Sequence, residues 1–203
     1  MKKSELLLPA GSLAKLKTAI MYGADAVYAG TPDMSLRTQS KFSLSDIEEG
    51  IKFAHDNGKK IYLTLNLYIH NEEAAKLPQF TETLRALKPD GVLIADPGVF
   101  YYLKEHAPEL NRFVSTQANI CSSQTVKFWQ SMGAKLCVLG REVTFAEMKQ
   151  IRNECPDILL ETFVHGAMCM SYSGRCLISN FLADRSANKG KCAHCCRWHY
   201  KLH

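Results

Sequence analysis

Two rhythms of apolar residues alternate through the first 165 positions of this chain. Short continuous apolar runs read ELLLPA (5–10), DAVYAG (25–30), KIYLTLN (60–66), GVLIADP (91–97), RFVSTQAN (112–119), KLCVLG (135–140) and ILLETFVH (158–165). A run that is apolar at every position suits a strand covered on both faces, the condition of a parallel sheet flanked by helices. Between the runs, apolar residues fall three and four apart. Leu13, Leu16, Ala19 and Ile20 share one helical face, as do Ile47, Ile51 and Ala54. Ser45 with Glu48 and Thr144 with Glu147 have the spacing of capping boxes that open helices. Gly23, Gly58, Gly91 and Gly133 stand between a helix and the next strand, where a positive φ ends the helix without a Cβ clash.

Seven strands joined by six crossovers predict an α/β fold, a (β/α) TIM-barrel-like domain over residues 1–165 followed by a cysteine-rich segment over 166–203. A complete eight-stranded barrel takes roughly 250 residues. The 203-residue chain stops at WHYKLH, which resembles an eighth strand beginning. The expectation is an incomplete barrel, finished by a C-terminal region beyond residue 203 or by a partner chain. An open Rossmann-like sheet competes, but the turn after the first strand, PAGS, lacks G-x-G-x-x-G.

Composition narrows the class. Hydrophobic residues make up 46% and charged residues 22%, as in ordinary globular proteins, and no apolar run reaches 18 residues, so no membrane span is expected. In MKKSELLLPAG, Glu5 and Pro9 leave the apolar stretch too short for a signal peptide, and the expected location is cytoplasmic. The net charge of +5 is concentrated at one end. Residues 169–203 carry Arg175, Arg185, Lys189, Lys191, Arg197 and Lys201 against Asp184, leaving 19 basic and 19 acidic residues for the rest. That excess reads as a solvated surface, as compensation for an anionic metal–thiolate centre, or as attraction for an anionic partner such as RNA or a carboxylate.

Five of the eight cysteines lie in the same 35 residues. Cys169, Cys176, Cys192 and Cys196 are spaced C-x6-C-x15-C-x3-C. Thiols gathered this way in a reducing compartment hold metal rather than forming disulfides. Zinc would accept four thiolates, or three with His194 or His199, yet its knuckles favour two short C-x2–4-C pairs. The spacing suits an iron–sulfur cluster better, and zinc stays open as the alternative. Cys195 reads as the spare unless ligation slips by one. Cys121, Cys137 and Cys155 read as buried small apolar residues.

In a barrel, chemistry belongs to the C-terminal ends of the strands. Those ends carry Tyr28, Asn66, Asp96, Gln117, Asn119, Arg141, Glu142, Glu161 and His165, and the cysteine segment departs onto the same face. Asn66 and Asp96 read equally as helix or turn caps, and Arg141 with Glu142 as an ion pair. Strand alternation would aim Gln117 and Asn119 to one side, for a polar ligand or for loop backbone. Glu161 on an apolar strand calls for a basic partner or a ligand, because a buried unpaired carboxylate is costly. His165 is either a structural histidine or a proton donor. Glu161, His165, Asn66 and Gln117 are the catalytic candidates. Arg37, Arg141 and Arg175, whose forks match carboxylates, are with Tyr28 the substrate-binding candidates.

The segment ETFVHGAMCMSYSGRCLIS, Glu161 to Ser179, resembles the signature of the peptidase U-32 family, E-x-F-x-x-G-[SA]-[LM]-C-x4-G-x-C-x-[LI]-S. Glu161, Phe163, Gly166, Ala167, Met168, Cys169, Gly174, Cys176, Ile178 and Ser179 fill it. ELLLPAGS, DAVYAG leading to Arg37, and LGREVT (139–144) are similar to the family's other blocks, so the resemblance covers essentially the whole chain. GKCAHCCRWHYKL is most similar to the bacterial tRNA-hydroxylating branch. The resemblance implies formation of 5-hydroxyuridine in tRNA, prephenate as a small anionic co-substrate, and no use of molecular oxygen. It further implies a 4Fe-4S cluster on Cys169, Cys176, Cys192 and Cys196, or with a fourth ligand from beyond residue 203. Related members act on ribosomal RNA or ubiquinone precursors, and some have been called collagenases. The chain has no H-E-x-x-H and no G-x-S-x-G. A collagenase-like peptidase and a non-catalytic zinc or RNA-binding module remain the alternatives.

Overall fold

Each apolar run becomes a strand of one parallel sheet. The computed structural model describes residues 4–32, 35, 42–166, 168–189 and 191–201, so Arg37 lies outside the described residues. The strands are β1 (Leu7–Ala10), β2 (Ala26–Gly30), β3 (Lys60–Leu65), β4 (Gly91–Ile94), β5 (Arg112–Val114), β6 (Leu136–Val138) and β7 (Leu159–Glu161). Their helices are α1 (Leu13–Met21), α2 (Leu44–Asp56), α3 (Asn71–Ala74), α4 (Leu77–Leu87), α5 (Pro97–His106), α6 (Ser123–Ser131) and α7 (Phe145–Glu154), followed by α8 (Ile178–Ala183) in the cysteine-rich segment.

The strand order is β1-β2-β3-β4-β5-β6-β7 and every pairing is parallel. A doubly wound sheet reverses its order at a switch point, whereas this one proceeds in one direction, as a barrel does. Side chains pack in two apolar layers. An outer layer, including Leu16, Ile47, Ile61, Leu63 and Phe100, lies between strands and helices. An inner layer gathers Ala26, Tyr62, Leu93, Phe113, Leu136 and Val138 with Leu7 and Tyr28. Residues from six strands meet on the second face because the sheet curls on itself. Full burial of each large side chain stabilises by about 1.5–3 kcal/mol, and the double layer explains why the strands read as unbroken apolar runs. Among the described strands, β1 and β7 are the edges. Among the described residues no helix is long and apolar enough to cross a membrane.

Several local expectations change. The strands are shorter than their apolar runs. Residues 116–118 form a 3-10 turn and Asn119 is left-handed at φ 62°, so Gln117 and Asn119 do not share a strand face. Helix α2 starts at Leu44, capped by Ser43 and Asp46 rather than by Ser45 and Glu48; the Ser43 hydroxyl accepts from Asp46 N at 3.1 Å and Asp46 accepts from Ser43 N at 2.9 Å. The Thr144–Glu147 box is present on α7. Gly23, Gly58 and Gly133 have positive φ, but after α4 Lys88 takes the left-handed position instead, at φ 52°. Gly91 is a glycine for a different reason: a Cβ there would lie 2.1 Å from the Phe113 ring.

Candidate active site at the C-terminal face of the barrel

Three strand ends stand abreast at this face. Leu139 N donates to Glu161 O at 2.9 Å and Gly140 N to Ile120 O at 2.8 Å, extending the β5–β6–β7 ladder past the strands. Onto these ends the cysteine-rich segment is clamped at three points. Glu142 accepts from Ser173 N at 2.8 Å and from the Ser173 hydroxyl at 2.7 Å. Arg141 Nη2 reaches Ser171 O at 3.5 Å. Arg175 Nε donates to Gln117 O and to Tyr68 Oη, each at 3.1 Å, with its guanidinium 5.4 Å from the centre of the Tyr68 ring. Glu142 therefore spends its carboxylate on Ser173 rather than on the ion pair with Arg141 expected from sequence. Gly140 permits the close approach: a Cβ there would sit 2.7 Å from Glu142 Oε2, 2.8 Å from Cys121 Sγ and 3.1 Å from Ser173 Oγ. Cys121 is half-buried rather than buried: it packs against the outer core layer, and its sulfur, 3.8 Å from Tyr172 Oη, also takes part in this junction.

Unsatisfied polar atoms concentrate here. Among the described residues, five buried side-chain atoms lack a hydrogen-bond partner, and four of them are Thr116 Oγ1, Asn119 Oδ1, Arg141 Nε and Glu161 Oε2. An orphaned buried polar atom costs about 1–3 kcal/mol. Four at the ends of adjacent strands is the pattern of a site shaped for something other than stability. Glu161 pairs in register with Val138 of the inner layer, so its carboxyl faces the barrel interior. Burial, with a smaller push from the charge of Glu5, raises it to about 7. The basic partner expected for Glu161 is not among its described contacts, and its proton affinity rises instead, to a value suited to proton transfer near neutrality.

The other candidates are placed as follows. Tyr28 lies in the inner layer and Asn66 is half-buried. Gln117 is buried and accepts from the Ser115 hydroxyl. His165 is exposed at the start of the cysteine segment. Asp96 caps α5, accepting from Gly98 N at 2.7 Å and Val99 N at 3.1 Å.

The cysteine segment has its own connections. Arg197 Nη2 donates to Met168 O at 2.9 Å, Cys176 N to Asn188 Oδ1 at 3.2 Å, and Ala193 N to Ser179 Oγ at 3.0 Å. The buried Ser179 hydroxyl lies 3.7 Å from Cys192 Sγ and 3.9 Å from Cys195 Sγ. Cys195 is fully buried and Cys196 exposed, so Cys195, read as the spare, is the thiol that shares the Ser179 hydroxyl with Cys192. Burial pushes the Cys169 thiol up, but hydrogen bonds from Ser171 and the neighbouring Arg141 outweigh it and hold the thiol below its ordinary value. Among the described residues no three metal-binding side chains are drawn together closely enough to hold an ion. The donors fit a soft metal centre in kind, as thiols on one segment with a lowered thiol and a cation beside it. Cys137 and Cys155 are buried in the outer layer, Cys137 pushed up to about 12 by burial.

Tyr68, Ser171, Ser173 and Gly140 were not singled out from the sequence. The signal for two of them, Ser171 and Ser173, was the run MSYSG, whose small polar residues let backbone turn tightly, as Ser173 does at φ 46°.

A curled parallel sheet whose C-terminal face carries a docked thiol-rich segment defines a (β/α)-barrel-like protein with its candidate site at the strand ends. The chain belongs to peptidase family U32, whose profile matches residues 11–203. It is 45% identical to "tRNA hydroxylation protein P" of Escherichia coli (strain K12), across 100% of this chain and 45% of that protein. It is 40% identical to "tRNA hydroxylation protein P1" of Bacillus subtilis (strain 168), across 100% and 48%, and 37% identical to "23S rRNA 5-hydroxycytidine C2501 synthase" of E. coli, across 98% and 30%. The first of these relatives are about twice as long as this chain, which spans about half their length. "The Structure of the U32 Peptidase Mk0906" superposes with a TM-score of 0.66 at 18% identity over 80% of this chain and 70% of that one, a likeness of fold.

Proposed function

We propose that this chain is part of an RNA-modifying hydroxylase that forms 5-hydroxyuridine in tRNA, with prephenate as co-substrate and without molecular oxygen. The observation that carries the reading is similarity, across the whole of this chain and about half of theirs, to relatives named for tRNA hydroxylation, combined with a thiol-rich segment docked on the barrel's C-terminal face. Cys169, Cys176 and Cys192 would hold a 4Fe-4S cluster, with Cys196 or its buried neighbour Cys195 as the fourth thiolate. Such a cluster supplies electron transfer or a Lewis acid when bound. Glu161, protonated about half the time near neutrality, can hold or release a proton inside the barrel mouth. Gln117 and Asn66 would orient a polar substrate through their amides, and Tyr28, which packs against the inner layer, would line the barrel interior. His165, exposed at the segment's start, can exchange protons with solvent. Arg141 and Arg175 provide guanidinium groups for an anionic co-substrate, the role also proposed for Arg37.

Mass spectrometry of tRNA nucleosides from cells lacking the protein tests the reaction: the hydroxylated uridine should vanish, and an unchanged nucleoside profile would end the proposal. Metal analysis of protein purified without oxygen tests the cofactor. Brown protein with iron and sulfide in equal amounts is expected, and colourless protein with stoichiometric zinc would replace the cluster. The peptidase reading takes its support from the family's name and from a relative named "Collagenase" in Porphyromonas gingivalis (strain ATCC BAA-308 / W83) at 32% identity.

A further inference from the structure

The barrel and the cysteine-rich segment treat charge in opposite ways. Every described ion pair lies within residues 5–154: Lys17–Glu49, Lys52–Asp56, His55–Asp90, Lys59–Asp25, Lys60–Glu5, Arg85 with Glu82 and Glu109, and Lys127–Glu154. The segment has one acid, Asp184, against six basic residues, and none of the described ion pairs involves it. Lys191, Arg197 and Lys201 are exposed. So are large rings: Phe181 at 87%, Trp198 at 47% and Tyr200 at 59%. The run Arg197-Trp198-His199-Tyr200-Lys201 sets three rings between two cations. Tyr200 is anchored by its hydroxyl, which donates to Cys195 O at 2.7 Å, and Arg197 is anchored on Met168 O, so these side chains are held in place while remaining solvent-facing.

We infer that Phe181, Trp198 and Tyr200, with Lys191, Arg197 and Lys201, form a binding surface for an unpaired RNA loop. Exposed rings, Tyr200 held by its hydroxyl, beside cations that take part in none of the described ion pairs match a strand whose bases are splayed for stacking and whose phosphates carry the charge. A protein partner would have to bring acidic groups and apolar pockets in matching positions, whereas an unpaired RNA loop offers a phosphate and a stacking face at every nucleotide. A membrane surface is served poorly, since α8 has six residues, too few for an amphipathic anchor. The inference rests on the RNA reading proposed above and assigns it a surface on the cysteine-rich segment.

The test is fluorescence anisotropy of the full-length protein with a labelled RNA hairpin carrying an unpaired uridine-containing loop, compared with a fully paired duplex. Trp198→Ala and Tyr200→Ala should each weaken loop binding about tenfold, while Trp198→Phe, which keeps a ring, should retain most of it. Lys201→Gln should lower the slope of log affinity against log salt by about 0.7, the value for one lost phosphate contact on a single strand. Tyr22→Ala, which removes an equally exposed ring on the barrel (86%), should change nothing. Loop RNA that binds all variants like the wild type would overturn the surface and leave the hydroxylase reading standing. So would variants that change only the oligomeric state, the mark of a protein-docking patch. Absence of RNA binding by the wild type would overturn the surface too, while the tRNA nucleoside profile judges the hydroxylase reading separately.

Discussion

Replacing Glu142 by alanine should undock the cysteine-rich segment from the barrel. Ser173 is fully buried, and both its amide and its hydroxyl donate to this one carboxylate, at 2.8 and 2.7 Å. Removing the carboxylate orphans two donors at about 1–3 kcal/mol each. Because Glu142 is itself solvent-facing, water can reach part of the vacated position and the low end applies, about 2 kcal/mol in all. The left-handed backbone of Ser173, at φ 46°, is a further conformation that persists only while its surroundings impose it. A loss of 2 kcal/mol is roughly a 30-fold rise in the open population. Amide hydrogen exchange at Ser173 should accelerate by that factor in Glu142→Ala and by less in Glu142→Gln, which keeps one acceptor oxygen. The clamp should also weaken in acid. Burial pushes the Glu142 carboxyl up, but the Ser173 hydrogen bonds prevail and hold it below 4.5. The clamp's contribution is therefore complete above that ordinary value and disappears as pH falls through the lowered one. Exchange at Ser173 unchanged in Glu142→Ala would refute the reasoning and assign the docking to Arg175 and Arg141.

Glu161→Gln should stabilise the fold at alkaline pH. The buried carboxyl titrates at about 7 against an ordinary 4.5, so the folded state retains a proton that the unfolded state has lost, and stability falls as pH rises between those values. The isosteric amide removes that slope, contributing up to about 3 kcal/mol at pH 8; thermal melts across pH read it, and parallel slopes for the two proteins would contradict it. If Glu161 transfers a proton, the same variant should lose hydroxylation while melting higher, a combination that a purely structural role would not produce. Gly91→Ala should destabilise by about 3 kcal/mol, because its Cβ would fall 2.1 Å from the Phe113 ring, which is packed edge-on against Tyr62 at 5.0 Å; denaturant unfolding measures it. Cys195→Ser and Cys196→Ser, compared by iron content, should show the larger loss for Cys195 if the Ser179 hydroxyl shared with Cys192 marks the ligand.

The sequence by itself determined the order and kind of the elements. Apolar periodicity is a local property, and a strand buried on both faces cannot hide its unbroken Val, Leu and Ile content. All seven strands lie where the runs predicted, and the Thr144–Glu147 cap is visible because its two partners are three residues apart. The crowding and spacing of the cysteines were equally legible, as was the collection of positive charge beside them. Only the tertiary structure decided how these parts meet. Glu142 finds Ser173 across 31 residues, and Arg175 finds Gln117 across 58 and Tyr68 across 107. No periodicity encodes contacts at such separations. The same holds for Gly91, whose role belongs to a ring on the next strand, and for Cys195, buried beside Ser179 while its neighbour in sequence faces solvent. Adjacent residues in a turn point in different directions, and the backbone path that chooses between them is set by packing.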